Sequence, residues 1–408
     1  GHYMIFQNND LKSVKYWDTE NSTIKVKSTK NLYNDFSDLI DSSINYQLIS
    51  DVEVGAQLSG GIDSSLIAGI ASDSKKSFQK TFSIILNNKN FSEEKYIDII
   101  NSKYLLQPNK TSLENSDIIN NLELATWHHD QPLREPNAVG IFMLAKEAKK
   151  YLKVLLSGEG SDEIFGGYDR YNAARIFTEI PNISKFINAL RSKEMGRDGD
   201  GLDEILICLS SNTKLHQIKK ILPEFNFKNA LIDRKKIFIN ETGNTKFQKY
   251  LNYEQKTYLS NLLIKQDKMC MAHGVENRVP FLDHRIVEFA CSMPTRFKTK
   301  LNFIPLSFRK NNSTKFFLKE YSKKYFTNDF IHRKKLGFNI PISDTINDKQ
   351  YFDYIISLIE EAKAVAPFNI DIKSIKDINK YQTNLIWSII SFGAWAKTFL
   401  HSKSYEFQ

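Results

Sequence analysis

Val52 to Leu58 (VEVGAQL) runs directly into Ser59-Gly60-Gly61-Ile62-Asp63-Ser64-Ser65, and helical spacing takes over from Asp63 to Ala71. The order is strand, tight turn, helix. The two glycines permit backbone conformations closed to other residues and let the chain approach a ligand closely. The N–H groups that open the helix, with the hydroxyls of Ser59, Ser64 and Ser65, form an anion site that suits a pyrophosphate group. Asp63 repels a phosphate directly, and binds one only through an intervening Mg²⁺. Neither GxxxxGK[ST] nor GxGxxG occurs in the chain, so the loop is neither a Walker A loop nor a dinucleotide fingerprint. The competing account is a plain Gly-Gly turn capped by serines.

Working outward, Leu32 to Ile49 has the spacing of an amphipathic helix. Thr81 to Leu86 (TFSIIL) predicts a second strand, Glu93 to Ser102 a second helix, and Tyr104 to Gln107 a short strand. Asn137 to Tyr151 predicts a helix, and Lys153 to Leu156 (KVLL) a further strand. Strands alternating with helices predict an α/β fold, a parallel sheet with helices on both faces. Past about residue 170 the strand signals fade, and the spacing from Phe177 to Lys268 and over 280–408 predicts a mainly helical remainder, with an exposed loop at Arg191 to Gly201. Residues 1–18 alternate around Asn8-Asn9-Asp10 as a small hairpin or connecting arm. The expected division is 1–18 as an arm, 19–175 as the nucleotide-type core and 176–408 as the helical part.

The 408 residues carry 41% hydrophobic and 25% charged side chains, ordinary for a globular protein. The net charge of +9 comes from 56 basic and 47 acidic residues without a long basic run, so nucleic acid is not the expected partner. The three cysteines, Cys208, Cys270 and Cys291, match neither zinc nor redox spacing and suit a reducing cytoplasm. The longest apolar stretch, Leu385 to Leu400, is too short and interrupted for a membrane span and predicts a core helix, with Trp387 and Trp395 as anchors. His128 and His129 lack enough companion ligands for a metal and are expected to be structural or exposed.

A second motif, Ser157-Gly158-Glu159-Gly160-Ser161-Asp162-Glu163, follows the strand KVLL. Its three carboxylates sit where an open parallel sheet presents ligands, at the carboxyl ends of its strands. Asp63 occupies an equivalent end. Two such aspartates can share one Mg²⁺ over the phosphates of a nucleotide. A solvated acidic turn is the alternative.

The SGGxDS loop resembles the pyrophosphate loop of the N-type ATP pyrophosphatases, and LSGEGSDEIFGGYDRY strongly resembles the synthetase part of the glutamine-hydrolysing asparagine synthetases. The resemblance reaches from about residue 1 to 400. It implies an adenine nucleotide alpha-hydrolase-like core, with ATP cleaved between its α and β phosphates. By position it implies nucleotide contacts at Leu58, Ser59, Gly60, Gly61, Asp63, Ser64, Ser65, Ser83 and Gly158, and Mg²⁺ on Asp63 and Asp162. It places Glu159 beside the acyl-adenylate and the incoming amine, while Glu163 supports the turn. Asp267 to Asp283 (DKMCMAHGVENRVPFLD) departs from the family's DRxSMA pattern at Lys268 and Cys270, and Glu276, Arg278 and Asp283 are expected to form an ion-pair and turn network. His332 to Phe338 resembles the family's RxKxGF segment, which makes Lys335 the cation that stabilises charge on the adenylated phosphate. Asp130 to Ala138 (DQPLREPNA) is expected to help line the substrate pocket.

The expected activity is amidation of a carboxylate through an acyl-adenylate, with aspartate as the preferred substrate. The alternatives are a uronic acid sugar of surface-polysaccharide synthesis and, less favoured, an ATP-dependent tRNA-modifying enzyme. Gly1-His2-Tyr3 and Tyr16-Trp17-Asp18 resemble the end of a glutaminase domain, so a glutaminase domain or subunit is an expected partner, with free ammonia otherwise the donor. A homodimer is possible and no membrane partner is expected.

Overall fold

The computed structural model describes residues 1–19, 31–75, 77–86, 92–180, 201–211, 213, 215–241, 243, 245–300, 314–333, 340, 342–366, 368–370 and 382–401. Lys335 and the expected loop at 191–201, save Gly201, lie outside these residues.

The amino-terminal arm is a hairpin of β1 (His2–Gln7) and β2 (Asp10–Lys15), antiparallel and paired from His2 with Lys15 to Gln7 with Asp10. Asn8 and Asn9 both have positive φ, 53° and 60°, as a two-residue turn matched to strand twist requires. Next come α1 (Leu32–Gln47), β3 (Val54–Gln57), α2 (Ile62–Ser74), β4 (Lys80–Leu86), α3 (Glu94–Lys103) and β5 (Gln107–Leu113). They are followed by α4 (Asn115–Asn120), α5 (Leu122–His129), α6 (Asn137–Ala148), β6 (Val154–Leu156), α7 (Ser161–Phe165) and α8 (Asp169–Glu179). A last strand, β7 (Glu276–Arg278), arrives after several further helices.

The five strands β5-β4-β3-β6-β7 form one sheet in that order, and every pair is parallel. Alternation along the strands divides the core in two. Val54, Ala56, Val154 and Leu156 face α1, α2 and α3 through Leu32, Phe36, Leu66 and Ile97. Phe82 and Leu155 face the other way, onto α5, α6 and the helices Phe352–Val365 and Thr383–Ala396. Each large apolar side chain buried there contributes ~1.5–3 kcal/mol. The expected parallel α/β sheet with a helical remainder is the observed architecture. That remainder has its own cluster, built on Tyr171, Phe238, Phe247, Tyr250 and Tyr253.

Two strands differ from expectation. The strand assigned to Tyr104 to Gln107 is instead the end of α3 and a left-handed Leu105 (φ 54°), and β5 starts at Gln107. As an edge strand it tolerates Pro108, whose missing N–H costs no ladder bond there. β7 is three polar residues, Glu-Asn-Arg, with no apolar alternation to announce it. Trp387 is buried and donates Nε1 to the Leu133 carbonyl at 2.9 Å. Trp395 is only half-buried; it stacks on Phe392 and donates to the Asp130 carbonyl at 3.2 Å. Among the described residues no helix is long and apolar enough to cross a membrane.

Candidate active site

The glycine loop is pinned to the sheet before it turns. The Leu58 N–H donates to the Phe82 carbonyl at 2.8 Å, and the buried Ser83 hydroxyl donates to the Leu58 carbonyl at 2.6 Å. Ser83 thus holds Leu58 in place. Gly60 has φ 77°, and a Cβ there would stand 3.2 Å from the Glu93 carbonyl oxygen and 3.3 Å from Tyr96 and Ile97 of α3. Ser59 and Ser64 hydroxyls lie 3.0 Å apart, and Ser64 also accepts from the Ser59 N–H at 3.2 Å. Ser59 is exposed, whereas Ser65 is fully buried with its hydroxyl unpartnered among the described residues. The loop therefore offers Ser59 and the first-turn N–H groups of α2 to a ligand, with Ser64 bracing the turn and Ser65 beneath it.

The acidic turn meets this loop. A Cβ on Gly158 would lie 2.8 Å from the Ser64 nitrogen and 2.9 Å from the Asp63 Cβ, so only glycine allows the two turns to touch. Ser161 donates its hydroxyl to Asp63 Oδ1 at 2.9 Å. Glu159 and Asp162 are half-buried, and Glu163 is buried. Burial and the neighbouring Asp162 push the Glu163 carboxyl up to about 8, against the Tyr168 hydroxyl that donates to it at 2.6 Å. Glu163 thus supports the turn from within, as expected.

Asp63 and Asp162 converge on one cation, the ammonium of Lys315. Its Nζ is 2.7 Å from each Asp63 oxygen and 2.7 Å from Asp162 Oδ1, and its side chain is 5% exposed. Lys315 itself has φ 53°, donates its N–H to the Gly166 carbonyl at 3.0 Å, and opens the helix Phe316–Ser322. Phe317 on that helix packs against Phe36 of α1 and Phe165 of α7, at 5.3 and 5.8 Å between ring centroids. The same aromatic cluster therefore sets the positions of Lys315 and of the acidic turn.

Two carboxylates aimed at a single positive charge fit a magnesium ion, which commonly takes one or two protein carboxylates and completes its shell with phosphate and water. Among the described residues no group of three or more His, Cys, Asp or Glu side chains could hold a metal without such help.

A second element reaches the glycine loop. Arg333 is nearly buried; it donates to the Gly60 carbonyl and pairs with Glu93 at 3.2 Å, with Tyr96 4.1 Å beneath the guanidinium. Neither Lys315 nor the contacts of Arg333 were assigned from sequence. Lys315 is one lysine in a lysine-rich chain, and nothing local sets it apart. Arg333 lies inside the stretch His332 to Phe338 that resembles the family's RxKxGF segment, and that position is its one available signal.

The segment Asp130 to Ala138 turns its charges onto internal partners. Lys265, itself buried, bonds Glu135 at 3.2 Å and Asn137 at 3.1 Å, and Lys268 pairs with Asp130. Burial pushes Glu135 up, but Lys265 and Arg134 outweigh it and hold the carboxyl below its usual range. Glu276 and Arg278 pair at 2.6 Å, whereas Asp283 caps the helix His284–Ser292 and pairs with Arg285 instead. The expected single network is two. His129 is buried against the Gln131 carbonyl at 3.2 Å, a structural histidine.

Residues 35–397 match the family model described as asparagine synthase. The chain is 29% identical to asparagine synthetase [glutamine-hydrolyzing] 1 of Bacillus subtilis (strain 168), over 96% of its own length and 63% of that protein's. It is 27% identical to a putative asparagine synthetase [glutamine-hydrolyzing] of Mycobacterium bovis, over 81% and 52% of the respective lengths. It is also 24% identical to the amidase chry2 of Gibberella zeae, over 84% and 58%. The chain spans between about half and two-thirds of the length of these relatives.

Proposed function

We propose, from the premise that this chain belongs to the asparagine synthase family, that it joins ammonia to a carboxylate at the expense of ATP, through an acyl-adenylate. One observation supports this above the others: Asp63 and Asp162, 99 positions apart (162 − 63), reach the same buried cation.

ATP lies with its phosphates on Ser59, Gly60, Gly61 and the first turn of α2, and its adenosine near Leu58 and Gly158. A magnesium ion on Asp63 and Asp162 would supply positive charge beside the departing pyrophosphate. The substrate carboxylate, proposed to be the side chain of aspartate, attacks the α-phosphorus. The bond between the α phosphorus and the bridging oxygen breaks, and pyrophosphate leaves. Ammonia then attacks the acyl carbon, Glu159 takes its surplus proton, and AMP departs to leave the amide. Lys335, outside the described residues, is assigned to the charge on the adenylated phosphate, and Arg333, two positions earlier in the sequence, donates to the Gly60 carbonyl of the glycine loop. Positioning and charge stabilisation carry most of the rate in such chemistry.

The test is an assay for AMP and pyrophosphate with ammonium and a panel of carboxylic acids, aspartate and uronic acids among them. AMP formed in step with an amide supports the proposal and names the acid. Release of ADP, or no nucleotide turnover with any acid, would overturn it. Lys335→Ala should abolish AMP production with ATP binding nearly intact.

A further inference from the structure

We propose that Lys315 is an internal counter-cation that keeps metal out of the Asp63–Asp162 pair until the metal arrives with a nucleotide. The inference rests on the reading above that these two carboxylates are metal ligands.

The lysine ammonium sits where a shared metal would sit. It reaches both oxygens of Asp63 and one of Asp162 at 2.7 Å. A magnesium ion bonded to the same oxygens at about 2.0–2.1 Å needs that volume, and two cations do not share it. Lys315 is therefore displaced whenever the metal binds, and its charge, 5% exposed, has little water to move into. A bare divalent ion offers the displaced ammonium nothing. A metal–ATP complex offers both halves of the exchange: the ion replaces the ammonium on the carboxylates, and the phosphate oxygens receive the ammonium.

The backbone makes this exchange local. Lys315 is held in the left-handed region by its N–H bond to Gly166 and by the helix behind it, so only its side chain moves. The Lys315 side chain and the Asp162 carboxylate meet here only because position 167 lacks a Cβ. One built there would stand 1.7 Å from Asp162 Oδ1 and 2.8 Å from the Lys315 Cε.

The experiment is Mn²⁺ binding, followed by electron paramagnetic resonance on the 408-residue chain without nucleotide, for the native protein, Lys315→Met and Lys315→Arg. Lys315→Met should bind Mn²⁺ tighter than the native chain by about tenfold or more, and Lys315→Arg should match the native chain. A non-hydrolysable ATP analogue should raise Mn²⁺ binding by the native chain. Equal or weaker Mn²⁺ binding by Lys315→Met overturns the proposal. Should Lys315→Met not fold, thermal melting of the native chain decides: Mg²⁺ alone leaves the midpoint unchanged and Mg²⁺ with the analogue raises it, whereas a rise with Mg²⁺ alone overturns the proposal. Asp63→Asn separates the two readings. If it leaves analogue-dependent Mn²⁺ binding intact, the metal-ligand assignment itself fails.

Discussion

Asp63, Asp162 and Lys315 come from three separate stretches and meet at a single point. Replacing Asp162 with Asn keeps its shape and removes a charge from the place where pyrophosphate departs. AMP formation should fall by roughly 10²–10³, the usual effect of losing one group preorganised toward developing charge; a fall of less than tenfold under saturating ATP and magnesium would argue against a metal role. Glu163, next door, gives a prediction in pH. Its carboxyl is pushed from 4.5 up to about 8 by burial and Asp162, so the folded protein holds a proton there that the unfolded chain releases. Its stabilising contribution is complete below about 4.5 and is lost as pH rises through about 8. Glu163→Gln mimics the protonated form, so in EDTA it should match the native chain in urea melts at pH 5 and exceed it in stability at pH 8.5. The two aspartates were legible because each sits in a glycine-flanked turn directly after a strand. Lys315 was not legible, because its role exists only once the helix Phe316–Ser322 docks on α1 and α7.

At the scale of elements, the strand β3, its loop and α2 follow from the order of residue types, and so do β4 and β6, which are apolar runs in the middle of the sheet. β5 and β7 flank them as polar edge strands, and what makes them strands is their neighbours' hydrogen-bonding groups rather than their own composition. The same dependence on partners appears where the helix Asn328–His332 ends at Arg333 and reaches the glycine loop. Arg333 and Glu93 form a pair with side chains 7% and 9% exposed, so deleting one leaves a buried charge on the other. Arg333→Ala should cost about 3–5 kcal/mol in urea melts and raise the KM for ATP by loosening Gly60. Adding Glu93→Gln should recover part of the stability and none of the KM. Recovery of both would mean that Arg333 acts through Glu93 alone and not on the loop.

At the largest scale, whether these 408 residues can draw nitrogen from glutamine by themselves depends on which groups they can bring to it. Hydrolysing an amide by covalent catalysis needs a nucleophile that is ionised or paired with a base. The 408 residues contain three thiols, at Cys208, Cys270 and Cys291. Burial pushes Cys208 up to about 11 and Cys270 up to about 12, and Cys291 is raised by burial as well. Cys270 packs in the core against Gln266, whose Nε2 lies 3.7 Å from its sulfur, and Cys291 faces the Gln255 amide at 3.9 Å. None is a thiolate near neutral pH, and none lies beside an imidazole base in the described residues. Assayed as this chain, the protein should form AMP with ammonium and fail to do so with glutamine, and it should release no glutamate from glutamine. The dependence on ammonium should steepen as pH rises toward 9, because free ammonia, not ammonium, carries the attacking lone pair. Release of glutamate would overturn this prediction. Substituting each cysteine by serine in turn, with glutamate release as the readout, would show whether one of them is nevertheless responsible.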